Sequence, residues 1–156
     1  MKSKIVWWVL TVLCAAAILG FSLQSVPTSV AISSQLTDIV LENNTEYQEL
    51  PPIHQQVRNE KTHEWLRDSA HVIMFAALAF CASMLVRCYL KKWWALIAIP
   101  FSMLYGIFDE FVQWCMHNGR TFQWSDVSRD CLGAVIGTGL ALIAAACLWL
   151  LKRRRV

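Results

Sequence analysis

Charged residues are scarce in this sequence: Asp, Glu, Lys and Arg make up only 16% of its 156 residues, while 56% are hydrophobic. Soluble globular domains carry about 25% charged residues, so the composition argues against one. No internal repeat or low-complexity tract is visible, and the length allows a single domain. The sequence therefore predicts one domain that is built largely from apolar segments.

Recognisable catalytic and metal-binding motifs are missing as well. There is no Gly-x-Ser-x-Gly sequence around a nucleophilic serine. His63-Glu64 resembles the start of a zinc-binding His-Glu-x-x-His motif, but Arg67 occupies the second histidine position. His63 and His71 would lie about 12 Å apart along a helix, too far to share one ion. The remaining arrangement for a metal site is His71 together with carboxylates of another helix. We predict no bound metal and no cofactor.

The apolar residues are concentrated in four blocks. Each block is near the roughly 20 residues that an α-helix needs to cross about 30 Å of hydrocarbon. We therefore predict an all-α, polytopic membrane protein with four transmembrane helices. The predicted spans cover about residues 5–23, 68–87, 93–113 and 130–151.

Three clusters of lysines and arginines flank these blocks, and all three fall on one side if the chain crosses the membrane four times. They precede the first span, lie between the second and third, and follow the fourth. By the positive-inside rule this side is the cytoplasm, so both termini are predicted to be cytoplasmic. The connections of residues 24–67 and 114–129 are then extracytoplasmic, and the first is predicted to be helical. The net charge of +3 mostly reflects the flanking residues, so we expect no nucleic-acid partner.

One helix is predicted to begin after Pro51-Pro52 and to continue into the second span without a breaker. His63, Arg67 and His71 recur at every fourth residue of this helix, so they lie along one of its faces. The spacing predicts a polar stripe that descends toward the membrane from the extracytoplasmic side.

Two further features are expected to shape the bundle. Pro100 lies inside the third span and is expected to kink it. Gly133 and Gly137 form a small-xxx-small face in the fourth span, which permits close helix approach. In a chain with four spans, we expect this face to pack internally rather than to form a dimer.

Acidic and polar residues gather at the predicted extracytoplasmic end of the bundle. Some end the third span, others begin the fourth, and a loop arginine lies between them. Ionisable groups at the edge of a span are costly, which makes them candidates for function. The residues predicted to form a ligand-binding site there are Arg67, His71, Asp109, Glu110, Gln113, Arg120, Asp126 and Asp130.

Three interpretations of these residues are open. They could be ion pairs that join loops to helix ends, for example Arg67 with Glu110, because buried charges are costly without partners. They could bind an anionic group, since arginine offers forked donors suited to phosphate or carboxylate. They could also catalyse hydrolysis or transfer, with Glu110 or Asp126 as general base and His71 as acid.

Several of the same residues fall into short motifs. In order, these are Phe21-Ser22-Leu23-Gln24, Arg67-x-x-x-His71, Asp109-Glu110-x-x-Gln113, Gly119-Arg120, Asp126 and Asp130-x-x-Gly133-x-x-x-Gly137. Together they resemble the motifs of the VanZ-like family of bacterial membrane proteins. The resemblance covers nearly the whole chain, and Phe75 stands where members often have a tyrosine.

The resemblance implies a cell-envelope protein of a Gram-positive type, whose namesake is linked to resistance to teicoplanin, a lipid-tailed glycopeptide. It implies no known reaction. We therefore expect the site to bind an anionic lipid, a lipid-linked cell-wall intermediate or a lipoglycopeptide-related ligand, with membrane lipids as partners. The alternative is a membrane-embedded hydrolase or transferase that acts on a lipid or lipid-linked substrate. A disulfide between Cys115 and Cys131 is left open, as is the oligomeric state.

Overall fold

The computed structural model describes residues 2–42, 44–90, 92–116 and 121–153. All regular structure in these ranges is helical, as predicted. Arg120, one of the predicted site residues, lies outside them. The helices are α1 (Lys2–Ser22), α2 (Val26–Glu42), α3 (Thr45–Gln48), α4 (Pro52–Arg87), a 3₁₀ helix (Lys92–Ile97), α5 (Ala98–Cys115) and α6 (Trp124–Arg153).

Four segments of the described chain are long and apolar enough to cross a membrane, which confirms the predicted fold class. Their surfaces carry many large apolar side chains, such as Trp93 at 70% and Leu104 at 68% exposure. Such broad apolar surface is unusual for a soluble monomer and suits contact with lipid. The four segments are Ser3–Ser22, Pro52–Arg87, Trp93–Cys115 and Trp124–Leu151.

The connection between the first two spans is helical. α1 ends at Ser22, and α2 begins at Val26 with Pro27 in its first turn, where a missing backbone N–H costs little. Pro52 is the first residue of α4. From there α4 runs for 36 residues without interruption, so the predicted continuous helix through the second span is confirmed.

The third span begins in a 3₁₀ helix and changes to α-helix at Ala98. Pro100 therefore lies in the first turn of α5, where its N–H is not needed for an intrahelical hydrogen bond. The expected kink inside a continuous α-helix is replaced by a change of helix type just before the proline.

Glycines allow α6 to approach α4 closely. A Cβ added to Gly137 would lie 2.0 Å from the carbonyl oxygen of Ala76, and one on Gly133 would lie 2.4 Å from that of Val72. The predicted internal packing of this glycine face is confirmed. By contrast, a Cβ on Gly139 would have nothing within 4 Å.

Candidate functional site

A cavity of about 510 Å³ lies where α1 and α5 end and α6 begins. We call this end of the bundle the site end. The described polar residues that line the cavity are Ser22, Gln24, Ser29, Ser33, His63, Arg67, His71, Asp109, Glu110, Gln113, Thr121, Gln123 and Asp126. Its apolar lining comes from α1, α2 and α4, namely Phe21, Val30, Ile32, Leu36, Leu66, Ala70, Met74 and Phe75.

Asp109 is buried and held by two neutral donors. The Ser22 hydroxyl donates to Oδ1 at 2.5 Å, and the Gln113 amide donates to Oδ2 at 2.9 Å. Gln113 is one turn further along α5, so a single helix supplies both the carboxylate and one of its donors. Ser22 is the last residue of α1, and its bond therefore ties the first span to the third.

His71 is placed between two carboxylates of α6. Its Nδ1 lies 2.9 Å from Oδ1 of Asp130, and its Nε2 lies 3.9 Å from Oδ2 of Asp126. Asp130 is completely buried, and a Cβ on Gly106 would lie 2.9 Å from its Oδ2. Glycine at this position of α5 leaves room for the carboxylate. The pairing fixes the orientation of the imidazole ring, as a histidine acting as an acid or base requires.

Arg67 lies at the mouth of the cavity, and 45% of its side chain is exposed. Its Nη2 donates to Oε1 of Gln123 at 3.2 Å and to Oδ1 of Asp126 at 3.4 Å. The pairing of Arg67 with Glu110, which the sequence raised as one possibility, is not formed among the described residues. Because α4 and α6 face each other here through close glycine contacts, the first carboxylate that Arg67 reaches is on α6 rather than on α5.

Arg129 completes the ionic network around Asp126. It bonds to Asp126 one turn earlier in α6 and to Asp68 of α4 at 2.9 Å. Asp126 thus has positive charge on two sides. Arg129 was not among the residues predicted to form the site.

Glu110 is buried, with 1% of the residue exposed. Its Oε2 accepts the backbone N–H of Gln123 at 3.0 Å. Its Oε1 has no hydrogen-bond partner in the described chain. Gln123 therefore connects the buried carboxylate of Glu110 to the exposed guanidinium of Arg67.

A sequence model of the VanZ/LLP1 family matches residues 7–145 of the chain. The chain belongs to the VanZ/LLP1 family. No curated protein and no solved structure matches it significantly. The matched range runs from α1 into α6, so every described residue that lines the cavity belongs to the VanZ/LLP1 region.

Most of the predicted site residues come together in this VanZ/LLP1 protein. Six of the eight line the cavity, Asp130 lies behind His71, and Arg120 is outside the described residues. Sequence reasoning did not assign Ser22 or Gln123 to the site. Ser22 belongs to the Ser-x-Gln element at the end of the first span, which was a usable signal, whereas nothing in the sequence distinguishes Gln123 from other polar loop residues.

The sequence raised a metal site and a disulfide as possibilities, and the structure bears on both. Within the described ranges, no group of three or more His, Cys, Asp or Glu side chains is arranged to hold a metal ion. All six cysteines are described, and none of them forms a disulfide, so Cys115 and Cys131 are not bridged. What the cavity offers is a set of carboxylates, a paired histidine and one accessible arginine beside an apolar wall.

Proposed function

We propose that this VanZ/LLP1 protein binds an amphiphilic molecule of the cell envelope and thereby contributes to resistance to glycopeptides of the teicoplanin type. The ligand is an anionic lipid, a lipid-linked cell-wall intermediate or a related lipoglycopeptide. The observation that carries this proposal is the mixed lining of the cavity. Its apolar residues all come from α1, α2 and α4, whereas α5 and α6 contribute only polar residues, among them three buried carboxylates. Such a lining suits a molecule with a hydrocarbon part and a polar head.

Arg67 is the group that we assign to an anionic head. It is exposed at the mouth of the cavity, and only its Nη2 is used in the bonds to Gln123 and Asp126. A guanidinium carries five N–H donors, so Arg67 retains donors for a phosphate or carboxylate. Its bond to Asp126 would hold the guanidinium in place for the ligand.

The proposal includes the orientation of the protein, with the site end outside the cytoplasm and both termini inside. We expect a cysteine introduced at Glu60 to react with a membrane-impermeant maleimide on intact cells. A cysteine at Leu90 should react only after permeabilisation. Both positions are exposed, and a background without the six native cysteines removes other thiols. The opposite pattern of labelling would overturn the orientation.

Arg67→Ala tests the binding site. We expect the variant to bind lysophosphatidylglycerol about tenfold more weakly than the native protein, because a hydrogen bond to a charged group contributes about 1.5–3 kcal/mol. Binding is measured by native mass spectrometry of the purified protein in detergent. Cells that express the variant should also lose protection against teicoplanin.

The matched control is Arg87→Ala, which removes the same side chain from the last residue of the same helix, about 30 Å from Arg67 along the helix axis. It should leave lipid affinity unchanged. If Arg67 only joins α4 to α6, then Arg67→Ala would lower the unfolding temperature while the folded protein keeps its affinity for the lipid. That result would count against the proposed binding function.

A second candidate function is hydrolysis or transfer on a lipid or lipid-linked substrate. It is favoured by the contact between His71 and Asp130, because a histidine oriented by a buried carboxylate is a common arrangement for a general base. In this function His71 would accept a proton from water or from an acceptor hydroxyl. The Asp130 variants described in the Discussion separate it from binding alone.

A further inference from the structure

Glu110 is buried, and one of its two carboxylate oxygens has no hydrogen-bond partner among the described residues. The residue is 1% exposed, and its Oε1 has no partner in the described chain. An acceptor that is buried without a donor pays its desolvation penalty in full, and a carboxylate pays more than a neutral group. Glu110 also lines the cavity, so a molecule bound there comes close to the oxygen that lacks a donor.

The other buried carboxylates of the cavity wall already have donors. Asp109 accepts from Ser22 and Gln113, and Asp126 bonds to two arginines. Oδ2 of Asp130 also has no partner, but Asp130 does not line the cavity. Among the described carboxylates that line the cavity, the unsatisfied oxygen is therefore specific to Glu110. Among the described residues, no lysine or arginine forms an ion pair with Glu110.

Gln123 contacts both Glu110 and Arg67, the arginine at the mouth of the cavity. Its backbone N–H bonds to Glu110 and its side-chain oxygen accepts from Arg67. Gln123 is therefore the single residue between the buried carboxylate of Glu110 and the accessible guanidinium of Arg67. A head group that carries a positive and a negative charge a few bonds apart can contact both.

We infer that the cavity takes a zwitterionic amphiphile, whose primary ammonium group donates to Glu110 and whose phosphate or carboxylate contacts Arg67. This inference rests on the proposed binding function. It keeps the anionic group that contacts Arg67 and adds an ammonium group to the ligand. A primary ammonium has three N–H donors, and it supplies the positive charge that Glu110 lacks. A purely anionic head would leave Glu110 unsatisfied and add negative charge beside it.

The test compares three lysophospholipids with the same acyl chain, which carry ethanolamine, choline or glycerol head groups. We expect lysophosphatidylethanolamine to bind the native protein about tenfold more tightly than the other two, because only its ammonium can donate a charge-assisted hydrogen bond. Native mass spectrometry of the purified full-length protein measures all three affinities under one set of conditions.

Glu110→Gln should abolish the preference for ethanolamine. It lowers affinity for the ethanolamine lipid, and it raises affinity for the glycerol lipid because it removes the negative charge beside the phosphate. The matched control is Glu60→Gln, which makes the same change at an exposed position of α4 that does not line the cavity. Native-like preference in Glu60→Gln, together with its loss in Glu110→Gln, would support the assignment.

A second measurement needs no variant and so does not depend on how well Glu110→Gln folds. Lysophosphatidylethanolamine is methylated stepwise on nitrogen, which removes one N–H donor at each step. Affinity for the native protein should fall along the series. Equal affinity throughout, or equal binding of the ethanolamine and glycerol lipids, would overturn the ammonium site but leave the binding function intact. Absence of saturable binding by any of the three lipids would overturn both.

Discussion

Gly137→Ala is expected to disrupt the contact between α4 and α6. The added Cβ would lie 2.0 Å from the carbonyl oxygen of Ala76 and 2.8 Å from its Cα. These are backbone atoms of a helix, which cannot move aside as the end of a flexible side chain can. The two helices must therefore separate, and overpacking of this kind typically costs about 1–3 kcal/mol or more. We expect a lower unfolding temperature in detergent and weaker lipid binding, since both helices line the cavity.

Gly139→Ala is the matched control in the same helix. Its Cβ would meet nothing within 4 Å, and alanine favours a helix over glycine by about 1 kcal/mol. The unfolding temperature should therefore stay unchanged or rise. If both variants lost the same stability, close packing of α4 against α6 would not be what Gly137 provides.

Asp130→Ala is expected to destabilise the protein by about 3 kcal/mol. It removes the carboxylate that contacts Nδ1 of His71 at 2.9 Å, and Asp130 is completely buried. Breaking such a pair leaves a buried polar group without its partner. Thermal unfolding followed by tryptophan fluorescence in detergent measures the change. As a control, Asp68→Ala breaks a partly exposed pair with Arg129, which should cost at most about 1 kcal/mol.

Asp130→Asn then separates the two candidate functions. The asparagine oxygen can still accept a hydrogen bond from His71 but has no negative charge to stabilise a protonated imidazole. If the protein only binds its ligand, the variant should retain affinity within a few fold and still protect cells. If it is a hydrolase or transferase, the variant should bind lipid normally while changes in the lipids of expressing cells disappear.

The helices could be predicted from the sequence because their causes are local. Apolar runs of the length of a bilayer and breakers such as Pro51-Pro52 are visible without any tertiary information. The 3₁₀ start of the third span was not predicted. Pro100 lies two residues after the start of α5, but its presence in the sequence does not distinguish a kink from a change of helix type.

The residues that form the site could be predicted in part, because the topology follows from the same apolar runs. Topology alone brings the ends of alternate spans together, so Arg67, His71 and the acids of α5 and α6 were expected to be neighbours. Their pairing was not predictable. Whether Arg67 meets Glu110 or Asp126 depends on helix rotation and on the glycine contacts that draw α6 toward α4.

The length of α4 has a mechanical consequence. Its 36 residues extend about 54 Å at the helical rise of about 1.5 Å per residue, well beyond a hydrocarbon core of about 30 Å. Arg67 and His71 sit on the same uninterrupted rod as the segment that follows Pro52. A tilt of that protruding segment, for example on contact with a macromolecule, would therefore move one wall of the cavity and change its width.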